Sequence, residues 1–166
     1  MSKLTVAAQG DREIVMSRVL RAPREDVFDA FTKPELLKRW LFGPDGWELA
    51  ICEIDLRVGG RYRYVWRKLD GGFESTIVGD IHEMGMGGVY REVKRPARIV
   101  ATEKFDQAWY PGEALGTITF VEKDGRTTVT QTMRYESKEA RDGVLRSPME
   151  EGVAAGYERL ARIVER

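Results

Sequence analysis

This chain of 166 residues has one cysteine, Cys52, one histidine, His82, and no formal net charge, since 27 lysines and arginines cancel 27 aspartates and glutamates. A lone cysteine forms no internal disulfide. One histidine and one cysteine cannot supply the usual tetrahedral metal set, so no metal site is expected. A nucleophile and histidine pair would need Cys52 or a serine to meet His82 in space, and nothing in the spacing asks for it. Charge balance removes the long-range field that draws phosphate backbones, which argues against a nucleic-acid partner. No apolar stretch approaches the ~18 residues of a membrane span. The start, Met1-Ser2-Lys3-Leu4-Thr5-Val6, lacks the apolar run of a signal peptide, so a cytoplasmic location is expected. Repeats, low-complexity segments and linkers are also missing. One domain over 12–166, preceded by a tail over 1–11, follows from a prior of about 150 residues per domain.

What is present is an alternating strand. In Asp55-Leu56-Arg57-Val58-Gly59-Gly60-Arg61-Tyr62-Arg63-Tyr64-Val65-Trp66-Arg67 the period of two puts Tyr62, Tyr64 and Trp66 on one face and Arg61, Arg63 and Arg67 on the other. The arginine stripe is expected to be solvated and paired with Glu53 or Asp55. The aromatic face either fills a core or lines a cavity.

Upstream, Arg12 to Leu20 reads as a strand. Ala22-Pro23 opens a short helix carrying Val27, Phe28, Ala30 and Phe31, with Glu25 and Asp26 in its first turn. Thr32-Lys33-Pro34-Glu35 has the spacing of a capping box and predicts a second short helix with Leu36, Leu37 and Trp40, ending before Gly43-Pro44. From there the period is two, with strands expected near 48–55, 60–68, 73–82, 88–95, 97–105, 115–122 and 127–135. Asp124-Gly125 predicts a tight hairpin between the last two. Gly85-Met86-Gly87-Gly88 leads into a strand rather than a helix and lacks the following Gly-Lys-Ser/Thr, so it is not a phosphate loop. Ser147-Pro148-Met149-Glu150 predicts the start of a long C-terminal helix with Met149, Val153, Tyr157, Leu160 and Val164 on its apolar face. Gly152 and Gly156 cost that helix roughly 1 kcal/mol each relative to alanine, so they either admit a strand closely or leave room for a ligand.

These elements predict an α+β architecture, a curved antiparallel sheet wrapped around the last helix, with two short helices after the first strand. The motifs Ala22-Pro23…Val27-Phe28…Ala30-Phe31-Thr32…Pro34…Leu37…Trp40, Asp55-Leu56-Arg57-Val58-Gly59-Gly60-Arg61-Tyr62, Gly88-Val89-Tyr90-Arg91-Glu92-Val93…Pro96-Ala97-Arg98-Ile99-Val100…Thr102-Glu103 and Gly156-Tyr157…Leu160-Ala161 carry a resemblance. Over nearly the whole chain after Arg12 they resemble the bacterial family similar to the C-terminal domain of the activator of the heat-shock-protein-ninety ATPase. The resemblance implies the helix-grip fold shared with birch-pollen-allergen, START-type lipid-transfer and polyketide cyclase proteins. It also implies that any apolar ligand lies between the concave sheet face and the terminal helix. One departure is the segment 67–83, longer than the usual connection, which is expected to form an extended hairpin or a flap over a cavity mouth.

On this basis the expected ligand-binding residues are Trp40, Tyr62, Tyr64, Trp66, Tyr90, Glu92, Trp109, Tyr110, Met149, Val153 and Tyr157, with no catalytic residue assigned and no cofactor. Trp109 and Tyr110, beside the turn Pro111-Gly112, are expected to cap the cavity or form a dimer contact. Tyr90 and Glu92 share a face by periodicity, as do Ile99, Ala101 and Glu103 on the next strand. Two carboxylates therefore approach one another or pair outward with Arg91 or Arg98. Three functions follow: a carrier of a small apolar or aromatic molecule, the reading adopted here; a partner of the chaperone, implied by the resemblance; and a cyclase- or hydrolase-like enzyme using Tyr90, Glu92 or Glu103. A monomer or homodimer fits each.

Overall fold

The computed structural model describes residues 2–69 and 82–165. Its strands are β1 (Thr5–Gln9), β2 (Glu13–Leu20), β3 (Trp47–Ile54), β4 (Arg61–Lys68), β5 (Glu83–Lys94), β6 (Arg98–Phe105), β7 (Ala114–Lys123) and β8 (Arg126–Arg134). Helices α1 (Arg24–Thr32) and α2 (Pro34–Trp40) follow β2, and α3 (Lys138–Arg146) and α4 (Met149–Val164) close the chain. The strands form one antiparallel sheet in the order β1-β2-β8-β7-β6-β5-β4-β3. This is the α+β helix-grip arrangement. The expected strand near 73–82 and the proposed flap over 67–83 fall largely on residues 70–81, outside the described residues.

The β7–β8 hairpin turns at Asp124 and Gly125 with φ of 53° and 75°, the left-handed pair that an Asp-Gly turn supplies. β2 alternates strictly, with Ile14, Met16, Arg18 and Leu20 buried. Arg18 enters that face because Glu158 of α4 meets its guanidinium at 2.9 Å.

Four local readings change. Thr5–Gln9, assigned to an N-terminal tail, pairs with Glu13–Ser17 as edge strand β1, turning back at Gly10 with φ 56°. Its sequence, Thr-Val-Ala-Ala-Gln, is too short and too weakly alternating to announce a strand. The Thr32 capping box does not form. Thr32 is the last residue of α1, and its buried hydroxyl donates to the Phe28 carbonyl at 2.9 Å, while α2 begins at Pro34 without a side-chain cap. Ser147 likewise serves two helices. Its hydroxyl donates to Val144 O at the end of α3 and accepts weakly from Met149 N at 3.3 Å, and Pro148 takes the cap position of α4. Helix α3 was not foreseen. Gly143 and a polar composition hide it, although Ser137 caps it by accepting from Ala140 N at 3.0 Å.

Two apolar clusters fill the fold. The larger joins α1, α2 and α4 to the sheet, with Phe28 edge-on to Phe120 at 5.3 Å and Phe31 edge-on to Trp40 at 4.9 Å. Each large side chain so buried contributes about 1.5–3 kcal/mol. The smaller gathers Ile14, Met16, Tyr110, Met133, Tyr135 and Val144 where α3 meets the sheet.

Candidate functional site: a cavity between the sheet and the last helix

The concave face of the sheet and α4 do not meet everywhere. Between them lies a cavity of about 610 Å³. β4 contributes Tyr62, Tyr64 and Trp66 on alternate positions, and β5 contributes Met86 and Tyr90. The floor comes from Ile99, Ala101, Glu103 and Phe105 of β6, with Ile118 of β7 and Gln131 and Met133 of β8. Met149, Val153 and Tyr157 of α4 form the roof, and Trp40 of α2 closes one side.

Hydrogen bonds set the shape of this wall. The Trp40 indole donates to Ala30 O at 2.9 Å, locking α2 on α1, and the Trp66 indole donates to Leu41 O at 2.8 Å. Tyr157, fully inside, donates to Gln131 Oε1 at 2.7 Å, and its ring lies 6.1 Å from that of Trp40. Arg159, the last residue of α4 on the lining, stacks over Phe42 at 3.9 Å. Of the two glycines in α4, Gly156 packs against Trp40, whereas a methyl group on Gly152 would meet nothing within 4 Å.

Sequence-predicted residues divide cleanly. Trp40, Tyr62, Tyr64, Trp66, Tyr90, Trp109, Met149, Val153 and Tyr157 line the cavity, Trp109 at its rim with 45% of its surface exposed. Glu92 and Tyr110 do not line it. A bulge between Tyr90 and Glu92 puts Tyr90 opposite Ala101 but Glu92 opposite Val100. That extra residue turns Glu92 off the cavity face, and Val93 packs against the core instead. Glu92 instead pairs with Arg98 at 2.9 Å, the outward pairing left open by the sequence. Tyr110 stands behind the wall and donates from its hydroxyl to Glu103 Oε2 at 2.8 Å. Gln131, Met133 and Tyr135 were missed, though a lone glutamine on the Val129/Gln131/Met133 face of β8 was the available signal.

Glu103 is the electrostatic centre. Burial pushes its carboxyl above the ordinary value, with the Tyr110 hydrogen bond acting the other way. Burial also raises the phenols of Tyr62, Tyr64, Tyr110 and Tyr135, and the Glu103 charge adds to each. Tyr62 spends its hydroxyl on Thr102 O at 2.6 Å. The hydroxyls of Tyr64, Tyr90 and Tyr135 have no hydrogen-bond partner among the described residues, and none is sealed off.

Elsewhere the chemistry is quiet. Burial pushes the Cys52 thiol up to about 11, leaving it unreactive at neutral pH. Among the described residues no three histidine, cysteine or acidic side chains gather as a metal site. No described helix is long and apolar enough to cross a membrane. The arginine stripe pairs differently from expectation: Arg63 bonds Asp106 at 2.7 Å and Arg67 bonds Glu83 at 2.8 Å. Gly85 is part of that arrangement, because a Cβ there would collide with both Arg63 and Asp106.

Comparison with known proteins agrees with this fold. Similar solved structures include a protein from Rhodobacter sphaeroides, 26% identical with a TM-score of 0.85, the match covering 97% of each chain. An HSP90 activator from Plasmodium falciparum is 21% identical with a TM-score of 0.63, covering 92% of this chain and 95% of its own. CalU16 from Micromonospora echinospora is 17% identical with a TM-score of 0.61, covering 98% and 83%. Curated proteins give no match. The family described as Activator of Hsp90 ATPase homolog 1-like protein matches residues 21–165, and the chain belongs to that family.

Proposed function

We propose that this protein binds a small apolar or aromatic molecule in the cavity between α4 and the sheet. The observation that carries the reading is the cavity itself: about 610 Å³, walled by aromatic and aliphatic side chains with a few convergent polar groups. Ligand sites run to about 300–1,000 Å³ with such linings. Trp40, Trp66 and Trp109 line it, so a ligand reports its own arrival through tryptophan fluorescence. Saturable quenching by a member of an apolar and aromatic library is expected. It should be lost in Trp66→Ala, and in Ala101→Phe, which fills the floor, with the circular dichroism spectrum unchanged. No saturable binding across the library would end the carrier reading.

A second reading has one observation in its favour. Glu103, with its raised proton affinity, faces the open cavity, the placement of a general acid or base. A cyclase- or hydrolase-like turnover dependent on Glu103 would establish it. The family description supports a chaperone partner too, and an unchanged ATPase turnover of that chaperone on addition of this protein would dismiss it.

A further inference from the structure

The polar end of the cavity says more about the ligand than its size. Glu103 projects from β6 into a wall of tyrosines and receives one hydrogen bond, from Tyr110 to Oε2 at 2.8 Å. No ion pair reaches it among the described residues. Arg159 is the one cation of the described lining, and it is spent elsewhere, stacked on Phe42 at 3.9 Å and directed at Trp40 O and Asp45. A carboxylate removed from water without a counter-ion is far more costly than the uncharged acid. The acid form places its carbonyl oxygen toward the Tyr110 hydroxyl and its proton on Oε1, free to be donated. The hydroxyls of Tyr64, Tyr90 and Tyr135, unpartnered among the described residues, are further donors on the same lining.

We infer that the cavity recognises an apolar ring compound through an uncharged acceptor oxygen, a carbonyl or phenol, which takes a hydrogen bond from the Glu103 carboxyl and from a neighbouring tyrosine hydroxyl. This rests on the carrier reading above. A neutral acid beside phenols is the donor arrangement that holds a ligand oxygen in an apolar site. An anionic ligand finds no available cation here, and a cationic amine demands that Glu103 ionise.

Isothermal titration calorimetry with four compounds of one skeleton separates these cases: naphthalene, 2-naphthol, 2-acetylnaphthalene and 2-(aminomethyl)naphthalene. The two oxygen compounds should bind the wild-type protein about tenfold tighter than naphthalene, the worth of a well-placed hydrogen bond. Glu103→Gln, whose amide N–H replaces the acid proton, should keep that preference, and Glu103→Leu should abolish it. In the unmodified protein the affinity for 2-acetylnaphthalene should fall as pH rises through the raised value of Glu103. Equal binding of all four compounds overturns the inference and leaves the carrier reading standing. Tightest binding of the amine, lost in Glu103→Gln, also overturns it and shows an ionised Glu103. Failure of all four to bind the folded protein counts against the carrier reading and removes this inference with it.

Discussion

The hydroxyl of Tyr157 lies 2.7 Å from Gln131 Oε1, so the long C-terminal helix is tied across the cavity to the interior strand β8. Both groups are largely withdrawn from water, and the bond fixes the height of the cavity roof.

Tyr157→Phe removes this tie and leaves the glutamine carbonyl unpartnered. A loss of about 1 kcal/mol is expected, a drop of ~2–4 °C in melting temperature. Tyr157→Ala also removes the ring packed beside Phe31 and Trp40 and should cost about 3–5 kcal/mol. Chemical denaturation measures both. Equal stability of the wild type and Tyr157→Phe would show the bond to be energetically silent.

Two glycines predict opposite outcomes for one substitution. Gly152→Ala adds a methyl group to α4 in open space and should stabilise by roughly 0.5–1 kcal/mol. Gly88→Ala drives a Cβ into the Thr102 backbone carbonyl, the acceptor of the Tyr62 hydroxyl, and should destabilise by about 1–3 kcal/mol or more. Thermal melts of the pair decide it.

Glu103 makes stability depend on pH with a definite sign. Its folded proton affinity is raised, so between the ordinary value of 4.5 and the raised one the native state holds more proton than the unfolded chain. Stability then falls as pH rises through that window. Glu103→Gln should remove the slope and gain on the wild type toward neutral pH. Parallel stability–pH curves for the two proteins would contradict this.

Arg141 of α3 is buried, and its guanidinium donates to Gly10 O at 3.0 Å and Glu13 O at 2.9 Å, holding the β1–β2 turn. Arg141→Leu removes both charge-assisted hydrogen bonds, at a cost of about 2–3 kcal/mol. Amide exchange should accelerate first in β1. Uniform protection across the sheet in the variant would argue against this local role.

Much of the frame was legible because periodicity is a local property. The Tyr62/Tyr64/Trp66 face, the Asp124-Gly125 turn and the Met149/Val153/Tyr157 stripe each follow from a few neighbouring residues and one repeat length. Legibility failed where a long-range partner overruled a local signal. Thr32 looks like a cap until the end of α1 claims its hydroxyl, and Glu92 looks like a partner of Tyr90 until a bulge intervenes. Arg18 and Arg141 gave no sign of burial, because the groups that satisfy them, Glu158 and the Gly10 and Glu13 carbonyls, lie far away in sequence.

By itself the sequence determined the alternation of apolar and polar side chains, and with it the curved antiparallel sheet, the amphipathic last helix and the faces they turn to one another. Only the tertiary structure decided that these faces stand apart over part of their length, and that Glu103 rather than Glu92 enters the gap. The reason is physical: a period assigns a side chain to a face, whereas a cavity and a buried carboxyl depend on how far apart packed faces come to rest and on which distant group lies within hydrogen-bond reach.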